Sequence, residues 1–216
     1  MAYHLRVKIC GVTTEVDARQ AALLGADAIG LNFYEGSPRC VSAQAAQYIL
    51  RELPPFTAAV GVFVEVPLRQ AFVQMQTLGR IHVLQWHGQK RELSDCFPFH
   101  LIAAFAVRDE SSLQDIRNYL ETCRALGRMP AALLLDGHAP GQLGGTGMTA
   151  PWELLASFRP GVPIILAGGL TADNVAEAVR IVRPYGVDVA SGVESEPGRK
   201  DADKVRRFVD AVRAAE

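Results

Sequence analysis

Ile164-Ile165-Leu166-Ala167-Gly168-Gly169 is a short apolar run that ends in two glycines, the pattern of a buried strand with a phosphate-friendly exit. Three other segments share the design. Arg6-Val7-Lys8-Ile9-Cys10-Gly11 ends at a thiol, Leu133-Leu134-Leu135-Asp136-Gly137 at a carboxylate, and Val187-Asp188-Val189-Ala190-Ser191-Gly192 at a Ser-Gly turn. Buried strands repeated along one chain, each with a chemically useful exit, point to a parallel barrel with its site at the strand C-termini. A thiol, a carboxylate and exposed backbone N–H groups are parts for acid–base chemistry on a phosphorylated small molecule.

Working outward, strand and helix patterns alternate along the whole chain. Strands are predicted over 5–10, 28–33, 58–64, 81–86, 100–107, 131–136, 163–167 and 187–191. Helical patterns cover 14–24, 42–53, 67–78, 111–126, 171–182 and 202–215, with two shorter ones at 89–97 and 151–158. Gly25, Gly79 and Gly127 stand where C-terminal capping glycines belong, and Ser42 and Thr171 are candidate N-caps. No linker divides the chain, so residues 1–216 are read as one α/β domain, a (β/α)8 barrel. The alternative, an open doubly wound sheet, would need a switch-point cleft, and the first βα turn carries no dinucleotide fingerprint.

Composition narrows the class. The formal charge is −1 with both signs interspersed, unlike the basic stripe of a nucleic-acid binder. The start enters a strand pattern with no apolar signal core, and no run approaches membrane-spanning length. A cytoplasmic protein with no membrane partner is expected. Cys10, Cys40, Cys96 and Cys123 lack the spacing of a zinc site or disulfide framework, which predicts reduced thiols and no metal.

Alternation within the first strand sets Leu5, Val7 and Ile9 on one face and Arg6, Lys8 and Cys10 on the other. With the apolar face against the helices, Lys8 and Cys10 point to the barrel axis. A thiol beside an ammonium can have a lowered pKa and serve as a base; the competing reading of Cys10 is a small buried hydrophobe. Asp136 is either a general acid or base, whose proton a low-dielectric mouth would help retain, or the cap of the next turn. Asp188 should face inward between two valines. Strands one and eight are neighbours in a closed barrel, so a Lys8–Asp188 ion pair is expected below the site.

Gly168-Gly169 and Ser191-Gly192 leave the seventh and eighth strands, where barrel enzymes commonly bind phosphate. Gly145, within Gly144-Gly145-Thr146-Gly147, belongs to a lid or to a loop approached closely by ligand. Arg39 is read as a carboxylate clamp or a solvated surface arginine, and His87 as a pocket residue or a hydrogen-bonded structural histidine.

These segments, joined by Val60-Gly61-Val62-Phe63-Val64, Gln85-Trp86-His87-Gly88 and Val193-Glu194 with Pro197-Gly198 and Lys200-Asp201, resemble the phosphoribosylanthranilate isomerase family nearly end to end. The resemblance implies an aldose–ketose isomerase of tryptophan biosynthesis. It would catalyse the Amadori rearrangement of N-(5-phosphoribosyl)anthranilate to 1-(2-carboxyphenylamino)-1-deoxyribulose 5-phosphate, without metal or organic cofactor. It implies Asp136 as general acid, Cys10 as general base, Arg39 on the anthranilate carboxylate, and Gly168, Gly169, Ser191 and Gly192 at the phosphate. Lys8, His87, Gly145 and Asp188 are candidates for lining or supporting the pocket. The expected partner is the phosphosugar substrate, in a monomer or homodimer. The chain departs from the family pattern at Met148-Thr149-Ala150-Pro151, where Pro151 is expected in the first helical turn, and at Trp86, where leucine is usual. A different phosphosugar isomerase or epimerase, or a non-catalytic phosphate-ligand sensor, would share the glycines but not require the Cys10 and Asp136 pair.

Overall fold

Eight parallel strands close on themselves in chain order. They are β1 (Arg6–Cys10), β2 (Ala28–Asn32), β3 (Ala58–Val64), β4 (Val83–His87), β5 (His100–Ala106), β6 (Ala132–Asp136), β7 (Ile164–Ala167) and β8 (Gly186–Val189). The computed structural model describes residues 4–88, 99–137 and 151–216. The glycine loop with Gly145, the run from Met148 to Ala150, Cys96 and the helical pattern at 89–97 lie outside the described residues. Between and after the strands come α1 (Glu15–Leu23), α2 (Ala43–Glu52), α3 (Leu68–Leu78), α4 (Glu110–Ala125), α5 (Trp152–Ala156), α6 (Val175–Val182) and α7 (Ala202–Arg213). A small antiparallel hairpin, β9 (Glu194–Glu196) with β10 (Arg199–Lys200), follows β8.

Strand alternation divides the apolar residues into two cores. Outward side chains such as Val7, Ile9, Ile29, Leu84, Leu133, Leu166 and Val187 join the helices in one large cluster. Inward ones, among them Val60, Ile102, Ala104, Leu134 and Ile165, form a separate cluster inside the barrel. The helices meet the outer core through helical-period stripes. In α7, Val205, Phe208, Val209 and Val212 are buried, each stabilising by roughly 1.5–3 kcal/mol.

Closure is explicit in the β1–β8 register, where Val7 faces Val187 and Lys8 faces Asp188. The open-sheet alternative is thereby removed. Asp27, at the entry to β2, ties the start of β1 to α7: its carboxylate accepts from Val7 N–H at 2.8 Å, Arg6 at 2.8 Å and Arg213 of α7 at 3.2 Å.

The capping expectations hold at Ser42, which accepts from Ala45 N–H, and at Gly25, Gly79 and Gly127, whose φ values are +103°, +72° and +67°. Thr171 is a correction. Its hydroxyl accepts from Asp173 N–H in a local turn, and α6 begins only after Asn174, because Asn174 takes the Thr171 N–H into that turn. Pro151 likewise precedes α5 as its N-cap residue instead of occupying the first turn; its carbonyl accepts from Leu154 and Leu155. Trp86 points outward into the helix layer, where its indole N–H donates to Val66 O at 3.0 Å. The departure from leucine therefore enlarges the outer packing and leaves the barrel interior untouched.

Candidate active site

At the C-terminal ends of the strands lies a cavity of about 230 Å³ whose wall includes Cys10, Arg39, His87, Asp136 and Asp188. A larger one, about 530 Å³, opens at the N-terminal ends between Arg6, His100 and Tyr185, away from the strand exits. In a parallel barrel the chemistry belongs to the C-terminal mouth. Five side chains singled out in the sequence thus face one space.

Cys10 is the last residue of β1 and is buried. Its neighbour across β2 is Gly30, where a β-carbon would stand 2.8 Å from the thiol sulfur and 3.1 Å from Lys8 Nζ. The missing side chain is therefore what lets the sulfur and the ammonium share the interior. Lys8 Nζ donates to Asp188 Oδ1 at 2.7 Å, the expected pair, and both side chains are buried. The Lys8 ammonium also favours the ionised form of the thiol. The lowered thiol pKa expected from the sequence is reversed, however. Burial pushes the Cys10 thiol up and Asp188 adds to it, outweighing the opposing charges of Lys8 and Lys200. Lys8 itself is held above the usual lysine range, since Asp188 and Cys10 overcome the cost of its burial.

Asp136 ends β6, and its register neighbour on β7 is Ala167. The next residue, Gly168, has φ +91°, and a β-carbon there would run into Asp136 Oδ1. Gly169 follows at φ +60°, with its carbonyl accepting from Asn174 Nδ2 at 2.9 Å. The β8 exit packs directly on this turn: a β-carbon at Gly192 would overlap Leu170 O, and Ser191–Val193 forms a single 3-10 turn. The two glycine exits are thus one continuous surface beside Asp136.

Arg39 is not a solvated surface arginine. Its Nε and Nη2 donate to Glu194 Oε1 and Oε2 at 2.8 and 2.7 Å, and its side chain is 12% exposed. Its stem lies against Gly11, where a β-carbon would come within 2.5 Å of Arg39 Cδ. Lys200 Nζ donates to the same Glu194 Oε1 at 2.7 Å. Burial pushes the Glu194 carboxyl up, but Arg39 and Lys200 prevail and hold it below the usual carboxylate range. His87 is half-buried and shares a 2.8 Å hydrogen bond with the buried amide of Gln85. Glu194 and Lys200 received no role from the sequence. Their only local signal was two charges flanking a Pro-Gly turn, which is also how a solvated hairpin reads.

The family model for N-(5'-phosphoribosyl)anthranilate (PRA) isomerase matches residues 7–211. The chain belongs to this family. It is 47% identical over 207 residues to N-(5'-phosphoribosyl)anthranilate isomerase from Geobacter sulfurreducens, covering 95% of this chain and 97% of that protein. The crystal structure of phosphoribosyl anthranilate isomerase from Thermotoga maritima is similar with TM-score 0.86 and 36% identity, over 98% of this chain and all of that one. Another similar structure, TM-score 0.83 and 33% identical over 98% of this chain and 100% of that chain, is of the enzyme in complex with reduced 1-(o-carboxyphenylamino)-1-deoxyribulose 5-phosphate. Phosphoribosylanthranilate isomerases convert N-(5'-phosphoribosyl)anthranilate to 1-(2-carboxyphenylamino)-1-deoxyribulose 5-phosphate in tryptophan biosynthesis, and this chain is an isomerase of that step. The sensor and other-isomerase readings fall away.

Proposed function

We propose that Asp136 is the general acid and Cys10 the general base of this isomerisation, with Arg39 on the anthranilate carboxylate. Asp136 gives its proton to the furanose ring oxygen. The C1'–O4' bond breaks, leaving a 4'-hydroxyl and a protonated C1'=N Schiff base. Cys10 then removes the C2' proton, and the electron pair moves toward nitrogen to give a neutral enolamine. Return of a proton to C1' and loss of the enol proton give the ketone. The supporting observation is that Cys10 on β1 and Asp136 on β6, strands that are not neighbours, border the same cavity. That arrangement lets them address one pentose from different sides.

Burial and Asp188 bias the thiol toward its neutral form, so the working thiolate forms against that bias with Lys8 as its counter-charge. The phosphate is assigned to the turns at Gly168, Gly169, Ser191 and Gly192, where positive φ at the first two lets backbone approach an anion. His87 lines the pocket, and Lys8 with Asp188 supports it from below. We read the 216 residues as one isomerase domain, working in the cytoplasm without cofactor or metal. Among the described residues no helix is long and apolar enough to cross a membrane.

The test follows the disappearance of substrate fluorescence with phosphoribosylanthranilate made in situ. Cys10→Ala and Asp136→Ala should each lower kcat by about 10²–10⁴-fold while melting as the parent does. Near-normal kcat in either variant would overturn that residue's role.

A further inference from the structure

We propose that Glu194 is a positioning residue for the isomerisation: it grips one edge of the Arg39 guanidinium so that the other edge faces the substrate. The inference rests on the reading of Arg39 as the anthranilate clamp. A guanidinium offers a carboxylate two forked edges, Nε–Nη2 and Nη1–Nη2. Glu194 occupies the first with both oxygens, at 2.8 and 2.7 Å. A second carboxylate can then be met bidentately only across Nη1–Nη2, while Arg39 borders the cavity that holds Cys10 and Asp136.

Glu194 is itself immobilised from several directions. Its Oε1 accepts from Lys200 Nζ at 2.7 Å and from Gly198 N–H at 3.3 Å, and its backbone carbonyl accepts from Lys204 Nζ at 2.7 Å. Lys200 Nζ also donates to Ala190 O at 3.1 Å, at the end of β8. The hairpin carrying them is tied to the β1 exit: Thr13 Oγ1 donates to Gly198 O at 2.6 Å, and Lys200 N–H donates to Asp17 at 3.0 Å. With Gly11 closing on the arginine stem, the guanidinium is fixed before substrate arrives. Preorganisation of this kind reduces the ordering cost of binding.

The test is a double-mutant cycle on the intact chain, reading KM, kcat and melting temperature. Glu194→Gln should raise KM about 10-fold with kcat changed less than about threefold. In the Arg39→Ala background the same change should move KM less than about twofold. Loss of the charge leaves two buried cations facing each other, so Glu194→Asp serves as the folding-safe variant. It keeps the charge but withdraws the acceptor by about 1.5 Å. It should melt near the parent and still raise KM several-fold, whereas a purely charge-neutralising Glu194 would be rescued by aspartate on both counts. A parental KM in Glu194→Asp, or a full Glu194→Gln effect without Arg39, overturns the proposal. If Arg39→Ala itself leaves KM unchanged, the clamp reading fails and takes the proposal with it. If Arg39→Ala raises KM while Glu194→Gln does not, the proposal alone fails.

Discussion

Gly30 and Cys10 are register neighbours on β2 and β1, and the thiol sulfur occupies the space that any side chain at residue 30 would need. Gly30→Ala would push on both Cys10 Sγ and Lys8 Nζ. Neither can retreat easily, because Lys8 is paired with Asp188 in the barrel interior. Overpacking should destabilise by about 1–3 kcal/mol. Displacing the proposed base should lower kcat by up to about 10²-fold. Denaturant melts and steady-state assays read the two effects separately, and an unaltered kcat would show that the sulfur need not lie there.

Cys10 titrates in an environment that burial and Asp188 make unfavourable to thiolate. Alkylation by iodoacetamide, followed at the Cys10 peptide by mass spectrometry, should therefore rise with pH to a midpoint above that of an ordinary thiol. Asp188→Asn removes one of the two pushes and leaves the Lys8 ammonium to the sulfur. The midpoint should move down, although breaking the buried pair should cost about 3–5 kcal/mol of stability. A midpoint that stays put or rises in Asp188→Asn would contradict this account.

Gly168 separates two jobs that sit on one turn. Its missing side chain makes room for Asp136 Oδ1, and its backbone belongs to the surface assigned to phosphate. Gly168→Ala should depress kcat more strongly than it raises KM, by about 10–10²-fold, because the carboxyl group is displaced first. A rise in KM alone would show that the phosphate contact dominates.

Asp27 links acidity to stability. Burial raises its carboxyl, but the Val7 N–H, Arg6 and Arg213 outweigh it and hold the group below the usual range. A folded value below the unfolded one contributes stability that is fully present above the unfolded value, near 3.8, and lost as pH falls through the folded value. The contribution should be about 1 kcal/mol, since the group is partly in water. Melting temperature in Asp27→Asn should be lower at neutral pH and should change less with acid below about pH 4 than in the parent.

Much of the site was legible because it depends on local periodicity. Alternation along β1 and β8 put Lys8, Cys10 and Asp188 inside, and closure in chain order made the first and last strands neighbours. That was enough to predict the ion pair. The apolar strands, their exits and the glycines ending helices α1, α3 and α4 followed from the same local rules. Thr171 was misread as a cap because its hydroxyl suits a turn equally well, and Asn174 decided between the two.

What stayed hidden depends on encounters between distant residues. Arg39 and Glu194 are 155 positions apart, and nothing near either names the other as its partner. The direction of the Cys10 shift is a balance of burial and an aspartate against two lysines, and burial is known only once the barrel has closed. Chain chemistry by itself determined which groups stand at each strand end, since side-chain direction follows from backbone geometry. Tertiary structure decided how those groups are charged and held, because desolvation and ion pairing depend on everything packed around them.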